Sequence, residues 1–228
     1  MRHYTRGEVE RQLGERAGLF ALVNNAGIGE AAPLEVTDNF RRIFEVNVFG
    51  TVAVTREFLP LLRRDRGRIV NIGSVGGLVT VPFGSALCAS KHAIESISDA
   101  LRLELYSSGI FVTCIQPASI NSGASDKMEV ESEEMLASLP PGALSRYEGM
   151  VRTFLKRALA SENAGSPPEV VARAVLKVLS SRKPPARRLV GKNARMMRVL
   201  GRHVPDSLRD AVFRRVFLGN PRFGSAGA

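Results

Sequence analysis

Ser74 and Lys91 are the residues whose types and spacing best suggest chemistry. Ser74 follows an apolar run at residues 68–73 that is typical of a buried strand, and a glycine-containing loop leads from it to a helical segment that carries Lys91. A strand, a loop and a helix in this order bring the hydroxyl and the ammonium to the same edge of a sheet. A hydroxyl beside a positive charge is suited to holding a substrate oxygen and to moving a proton.

Two other motifs are expected at the same edge. An apolar run at residues 20–23 ends in the sequence NNAG at 24–27, and a third apolar run at 110–115 leads to the sequence PASI at 117–120. Ligands of open α/β sheets bind outside the carboxyl ends of the strands. The three strand ends are therefore predicted to line one site.

Together with Asn47 in the sequence VNVFG, these motifs resemble the short-chain dehydrogenase/reductase family. In that family a serine is followed thirteen residues later by a tyrosine, and a lysine comes four residues after the tyrosine. Ser74 and Lys91 stand in this register, and Leu87 occupies the tyrosine position. The resemblance covers residues 8 to about 190, although one of the family's catalytic side chains is replaced.

The resemblance implies a role for each matching residue. The family's tyrosine exchanges a proton with the substrate oxygen while hydride moves to or from a nicotinamide, and Lys91 would favour the phenolate form of that tyrosine. Ser74 would hold the substrate oxygen, and Asn47 would steady a water molecule. The implied cofactor is NAD or NADP, and no metal is implied. The positions implied to bind the cofactor are Asn24, Ala26, Gly27, Lys91, Pro117, Ile120 and Ser122.

Leu87 can neither donate nor accept a proton. Loss of a general acid lowers a rate by about 10² to 10⁴-fold, so we expect activity to be impaired or lost. We do not expect a neighbouring hydroxyl, thiol or imidazole to replace the phenol. The candidates close in sequence are Ser85, Cys88, Ser90 and His92.

The family's first strands and its glycine-rich turn have no counterpart in this sequence. Only about twenty residues precede Asn24, and the pattern G-x-x-x-G-x-G, which places backbone N–H groups against a pyrophosphate, is absent. We therefore expect weak dinucleotide binding. The strand at 20–23 would form an open apolar sheet edge. Either the chain associates with another chain, or the sequence begins late in a longer protein.

The order of the apolar runs predicts an α/β fold with a doubly wound parallel sheet of the Rossmann-like type. We expect strands at 20–23, 68–73, 110–115 and 187–190, and long helices at about 38–63 and 86–107. Residues 1–191 would form the domain and 192–228 a basic helical tail. Residues 121–166 are polar and rich in Gly, Ser and Pro, which favours a mobile flap with short helices.

The positive charge is concentrated towards the carboxyl end. The net charge is +10, and residues 182–215 hold eleven Lys or Arg against two Asp. The few aromatic residues there do not favour nucleic-acid binding, and a contact with an acidic membrane surface stays open beside a solvated tail. The sequence has no apolar run typical of a membrane span, and its cysteines lack metal-ligand spacing, so we expect a cytoplasmic protein.

Three functions stay open on the sequence alone. The first is an NAD(P)-dependent oxidoreductase for small lipophilic alcohols or ketones, such as retinoids or steroids, that is impaired by Leu87. The second is a non-catalytic relative that binds a ligand or a partner protein. The third is a surface contact through the basic segment. The resemblance also implies a homo-oligomer.

Overall fold

A four-stranded parallel sheet forms the centre of the protein. The computed structural model describes residues 5–14, 17–121 and 123–219. The strands are β1 (Ala21–Asn24), β2 (Arg68–Ile72), β3 (Phe111–Pro117) and β4 (Arg187–Val190), in the order β1-β2-β3-β4. Asn24 pairs with Asn71 and Pro117 pairs with Val190, so the carboxyl ends of neighbouring strands meet at one edge. The predicted parallel α/β architecture is confirmed.

Helices connect and cover the strands. They are α1 (Arg6–Leu13), α2 (Phe40–Phe44), α3 (Thr51–Asp65), α4 (Ser85–Glu104), α5 (Ala124–Ser138), α6 (Pro141–Asn163), α7 (Glu169–Leu179), α8 (Ala194–His203) and α9 (Asp206–Phe213). A π-helical segment, Glu45–Gly50, joins α2 to α3, and a second one, Arg214–Leu218, follows α9. The helix predicted at 38–63 is thus one continuous run with a π turn inside it, and the helix predicted at 86–107 is α4.

Both faces of the sheet are buried beneath helices. On one face, Ile69 of β2 clusters with Leu62 of α3 and with Leu105 at the end of α4. On the other face, Val70 clusters with Val178 of α7. Successive residues of a strand point to opposite faces, so a strand covered on both sides needs apolar residues on both faces, which Ile69 and Val70 supply in β2.

The segment at 121–166 differs from the predicted flap of short helices. It forms the two long helices α5 and α6, whose buried side chains include Leu136, Val151, Phe154 and Leu155. These residues make a cluster of their own beside the sheet. The prediction was wrong on this point because the polar, Gly-rich composition concealed apolar residues that meet only after two helices pair.

The predicted basic tail packs on the rest of the protein. Helix α8 lies so close to the loop after β2 that a Cβ atom on Gly201 would be 2.5 Å from the carbonyl oxygen of Leu78. In the π-helical segment that follows α9, the carbonyl oxygen of Arg215 accepts a hydrogen bond of 2.7 Å from Arg157 of α6. Across the described ranges, no helix is long and apolar enough to cross a membrane.

Strand β1 forms one edge of the sheet. Within the part of the chain that the structure describes, it pairs with β2 alone. Phe20, just before the strand, is 51% exposed and Val23 is 39% exposed. An unpaired edge that carries apolar side chains is a template for pairing with a strand of another chain.

We expect the chain to associate through this edge. Replacing Val23 with Lys places a charge on the edge and should shift the protein towards monomer, because a charged edge strand resists pairing. Size-exclusion chromatography with light scattering over a wide range of concentrations measures the shift. The matched control is Leu176→Lys, which changes an exposed side chain on α7. A wild-type chain that stays monomeric at every concentration contradicts the prediction.

Candidate active site

Asn24 ties together the strand ends that form the floor of the site. Its Nδ2 donates to Oδ1 of Asn71 at 2.8 Å and to Oγ1 of Thr55 at 3.0 Å. Asn71 in turn donates from its Nδ2 to Oγ of Ser98 on α4 at 2.9 Å. Both amide hydrogens of Asn24 are therefore engaged by the protein, and this side chain positions β1 and β2.

Asn47 fixes the loop that follows β1. It is buried in the π-helical segment, its Oδ1 accepts from the N–H of Ile28 at 2.8 Å, and its Nδ2 donates to the carbonyl oxygen of Ile28 at 2.9 Å. The same Nδ2 donates to Oγ of Ser90 on α4 at 3.0 Å. A π turn is a common device for redirecting a functional side chain, and here it aims the amide at the loop. Among the side-chain atoms of Asn47, the second lone pair of Oδ1 is the one position left for the predicted contact with a water molecule.

Lys91 reaches the carboxyl end of β2 from α4. Its Nζ donates to the carbonyl oxygen of Ile72 at 3.0 Å. A Cβ atom on Gly27 would lie 3.5 Å from this Nζ and 3.3 Å from Oδ1 of Asn47. Gly27 thus lets the backbone after β1 approach the amine closely. Burial lowers the pKa of Lys91, because a buried ammonium loses its hydration.

Leu87 lies one helical turn before Lys91 on the same face of α4. A Cβ atom on Gly29 would be 3.1 Å from Cδ2 of Leu87, so the leucine packs against the backbone of the loop after β1. The described tyrosines lie elsewhere: Tyr106 is 84% exposed, and Tyr147 donates to Glu35 at 2.7 Å. Within the described residues, no phenol accompanies the amine.

Ser74 stands two residues beyond Ile72, at the start of the 3₁₀ turn Val75–Gly77. Its Oγ accepts from the N–H of Gly76 at 3.0 Å. The hydroxyl is therefore held at the end of β2, and its own hydrogen is left for an oxygen in the site. The structure places Ser74 and Lys91 at one strand end, as the sequence predicts.

The groups close to Leu87 in sequence have other bonds. Ser90 donates to the carbonyl oxygen of Leu87 at 2.7 Å, and Nδ1 of His92 bonds to the carbonyl oxygen of Cys88 at 2.9 Å. Cys88 is buried, and burial raises the pKa of its thiol. That none of the neighbouring groups replaces a phenol stays a prediction.

The predicted cofactor residues after β3 line the same edge. Pro117 is the last residue of β3, and Ile120 forms an isolated parallel bridge with Ser166. Ser119 and Ser161 of α6 share a hydrogen bond of 3.0 Å between their hydroxyl oxygens. Ser122 lies outside the described residues.

A buried carboxylate near the site escaped the sequence analysis. Glu95 lies one turn beyond Lys91 on α4, is 7% exposed, and accepts from Sγ of Cys114, Nε2 of Gln116 and Nε of Arg187 at 2.9, 2.9 and 2.8 Å. It joins α4 to β3 and β4 beneath the site. The signal that could have found it is a charged residue four positions after Lys91, on the face of α4 that meets the sheet.

The residues at this edge fit one half of a nicotinamide dinucleotide. Gly27 is exposed, and the amine of Lys91 bonds to a carbonyl oxygen alone and so keeps hydrogens for hydroxyl groups such as those of a ribose. A pyrophosphate is usually held by a glycine-rich turn that opens a helix. In the described chain, residues 25–39 separate β1 from α2 and open no helix at the strand end. We assign no pyrophosphate site.

Comparison with known proteins places the chain in a family. The family profile described as short chain dehydrogenase matches residues 7–133. The chain belongs to the short-chain dehydrogenase family. Among relatives, human dehydrogenase/reductase SDR family member 9 is 30% identical over 223 residues, which cover 94% of this chain and 69% of that protein.

Other relatives in this family have named substrates. Human retinol dehydrogenase 5 is 34% identical over 212 residues, which cover 90% of this chain and 66% of that protein. Mouse estradiol 17-beta-dehydrogenase 2 is 33% identical over 215 residues, which cover 90% and 56%. This chain therefore spans between 56% and 69% of the length of these three relatives.

The fold resembles solved short-chain dehydrogenases. A short-chain dehydrogenase from Streptomyces avermitilis superimposes with a TM-score of 0.65 at 27% identity, covering 90% of this chain and 70% of that one. The resemblance to the family inferred from the motifs is confirmed. The catalytic and cofactor-binding roles of individual residues stay predictions.

Asn47 gives a direct test of the site's geometry. Replacing it with Ala removes three hydrogen bonds and leaves the backbone of Ile28 without its partner, so we expect the free energy of unfolding to fall by about 1–3 kcal/mol. Denaturant unfolding measures the change. Asn25→Ala, at an exposed position next in the chain to Asn24, is the control and should change stability by less than about 0.5 kcal/mol. Equal effects of the two substitutions would show that Asn47 does not hold the loop.

Proposed function

We propose that this chain handles a lipophilic alcohol or ketone with NAD or NADP, and that its turnover is impaired by Leu87. The observation that carries the proposal is the arrangement on α4: the amine of Lys91 is held at the end of β2, and an apolar side chain occupies the preceding turn. Lys91, Ser74 and Asn47 stand at the positions that the family's motifs give to these residue types. The group that would exchange the proton is replaced.

The substrate class is inferred from the relatives. Retinol and estradiol, named in two of them, are apolar alcohols. Leu87 adds an apolar surface at the point where such a substrate would approach Lys91. An alcohol or ketone with a large apolar body therefore suits this site better than a charged substrate.

The impairment follows from the proton balance of the reaction. Reduction of a ketone needs a hydride at carbon and a proton at oxygen, and a group suited to giving that proton titrates near the working pH. Ser74 can hydrogen-bond an oxygen in the site, and the amine of Lys91 is held against a backbone carbonyl. The site is therefore better suited to binding the substrate oxygen than to protonating it.

A non-catalytic role is the alternative within the same family. A chain that keeps the substrate-holding groups and loses the proton donor can still bind a ligand or a second protein. The open edge of β1, with Phe20 and Val23 exposed, supports this alternative. Nicotinamide-linked turnover by the purified chain would exclude it.

The variant Leu87→Tyr tests whether Leu87 is the single defect. The new phenol would lie one turn from Lys91, whose charge favours its phenolate form. We expect turnover of apolar alcohols to stay close to background in both wild type and variant, because no turn for the pyrophosphate is assigned. Titration calorimetry with NADH and NADPH should show affinity weaker than micromolar.

Leu176→Tyr, an exposed position on α7, controls for the added aromatic ring. Steady turnover by the wild-type chain contradicts the impairment by Leu87 and leaves the oxidoreductase function standing. Strong turnover by Leu87→Tyr alone would show that Leu87 is the single defect and that the cofactor needs no further support.

A contact with an acidic membrane surface is a second candidate function, favoured by the outer face of α8. We propose it because Met196 and Val199 are each 53% exposed there, beside the exposed Arg195, Arg198 and Arg202. A helix that combines apolar and cationic side chains on one exposed face can lie at the surface of an anionic bilayer. Each cationic side chain near such a surface contributes about 1 kcal/mol.

Arg198→Glu should weaken binding to vesicles that contain phosphatidylserine by at least tenfold, because it removes one cation and adds one anion, a change of about 2 kcal/mol. Co-sedimentation with phosphatidylserine vesicles and with phosphatidylcholine vesicles measures it. Arg173→Glu, on an exposed position of α7, is the charge-matched control. Equal binding to the two kinds of vesicle would remove this candidate.

A further inference from the structure

The amine of Lys91 has no charged partner in the described chain. Its hydrogen bond goes to the carbonyl oxygen of Ile72 at 3.0 Å. The nearest acid along this face of α4, Glu95, is bonded instead to Cys114, Gln116 and Arg187. Because no carboxylate is paired with it, the amine is not held in its protonated form by an ion pair.

The surroundings of the amine are apolar on one side and open on the other. Leu87 lies one turn before it and packs against Gly29. Gly27 is exposed, and a Cβ atom there would be 3.5 Å from Nζ. An exposed glycine therefore lies directly beside the amine.

Burial of Lys91 changes its protonation in the direction that nucleophilic chemistry needs. Desolvation is the larger cause and lowers the pKa of the amine, whereas Cys114 acts in the opposite direction. Each unit by which a lysine pKa falls raises the fraction of free amine near neutral pH about tenfold. A lysine desolvated in an apolar site is a known form of activated amine.

We propose that Lys91 is a nucleophile that forms a reversible Schiff base with lipophilic aldehydes entering between Leu87 and Gly27. The amine nitrogen attacks the carbonyl carbon, the carbon–oxygen π bond opens, and the oxygen takes up the proton that the nitrogen releases. The carbinolamine then loses its hydroxyl as water, and a carbon–nitrogen double bond forms. No electrons leave or enter the system, and hydrolysis reverses the reaction.

Ser74 is placed to assist as a positioning residue. Its hydroxyl stands two residues beyond Ile72, whose carbonyl holds the amine, and accepts from the N–H of Gly76. It would donate its own hydrogen to the carbonyl or carbinolamine oxygen. The inference shares its site with the proposed function, but it needs neither a dinucleotide nor a phenol.

The test is reductive trapping on the full chain. The purified protein is incubated with octanal and sodium cyanoborohydride, and the octylated lysine is located by peptide mass mapping as a function of pH. We expect Lys91 to be labelled faster at neutral pH than the exposed Lys177, because its lowered pKa leaves more of the amine unprotonated. Its labelling should also reach half its maximal rate at a lower pH than that of Lys177.

Variants separate the chemistry from simple access. Lys91→Arg should abolish the fast label, whereas Lys177→Arg should leave it intact. Ser74→Ala should slow labelling at Lys91 without moving its pH midpoint. If Lys91→Arg fails to fold, as judged by circular dichroism, the wild-type peptide map decides alone.

Labelling that follows exposure, with Lys91 no faster than Lys177, overturns the proposal. If glyceraldehyde, a polar aldehyde, labels Lys91 as fast as octanal does, the proposed preference for lipophilic aldehydes is overturned. Neither result depends on nicotinamide-linked turnover, so a failure here is distinguishable from a failure of the proposed oxidoreductase function.

Discussion

The amide of Asn47 is the interaction on which the geometry of the site depends. It holds both backbone groups of Ile28 on one side and Ser90 of α4 on the other. Through these bonds the loop after β1 is pressed against the helix that carries Leu87 and Lys91. An amide can do this because it donates and accepts at once. A purely apolar contact would hold the two parts together without fixing which backbone atom faces the amine.

A second constraint lies beneath the site, where Glu95 joins α4 to the two strands at the far side of the sheet. A buried carboxylate is costly unless its oxygens are bonded, and replacing a buried ion pair with apolar residues is often neutral for stability. The importance of Glu95 here is that its bonds orient α4 on the sheet. Arg187 of β4 and Gln116 of β3 both donate to it, and these bonds help to fix the position of α4 over the strand ends. Lys91 lies one turn earlier on α4, so its position depends on the bonds of Glu95.

The sequence predicted the parts of the structure that depend on local pattern. The apolar runs that form β2 and β3, and the placement of Ser74 and Lys91 at one strand end, follow from the local sequence pattern and from the geometry of parallel sheets. The family could be recognised because several spaced motifs occur in the right order.

Three features were beyond such reasoning. The π turn at Asn47 has no propensity signature, because it extends a helix by an irregular hydrogen-bond pattern. The engagement of Glu95 depends on Arg187, which is distant in sequence. The core that α5 and α6 share forms only when Leu136 and Phe154, which lie on different helices, are buried in the same cluster. In each case the decisive partner lies outside any local window.

The contact of Gly201 with the loop after β2 links remote parts of the chain. The backbone of α8 lies on the carbonyl of Leu78, and an added methyl group there would approach to 2.5 Å from that oxygen and 2.7 Å from Cγ1 of Val79. The turn that begins at Ser74 is therefore clamped between β2 and a helix more than a hundred positions away in the sequence. A larger side chain at position 201 would therefore displace the turn that carries Ser74, although the two positions lie far apart in the sequence.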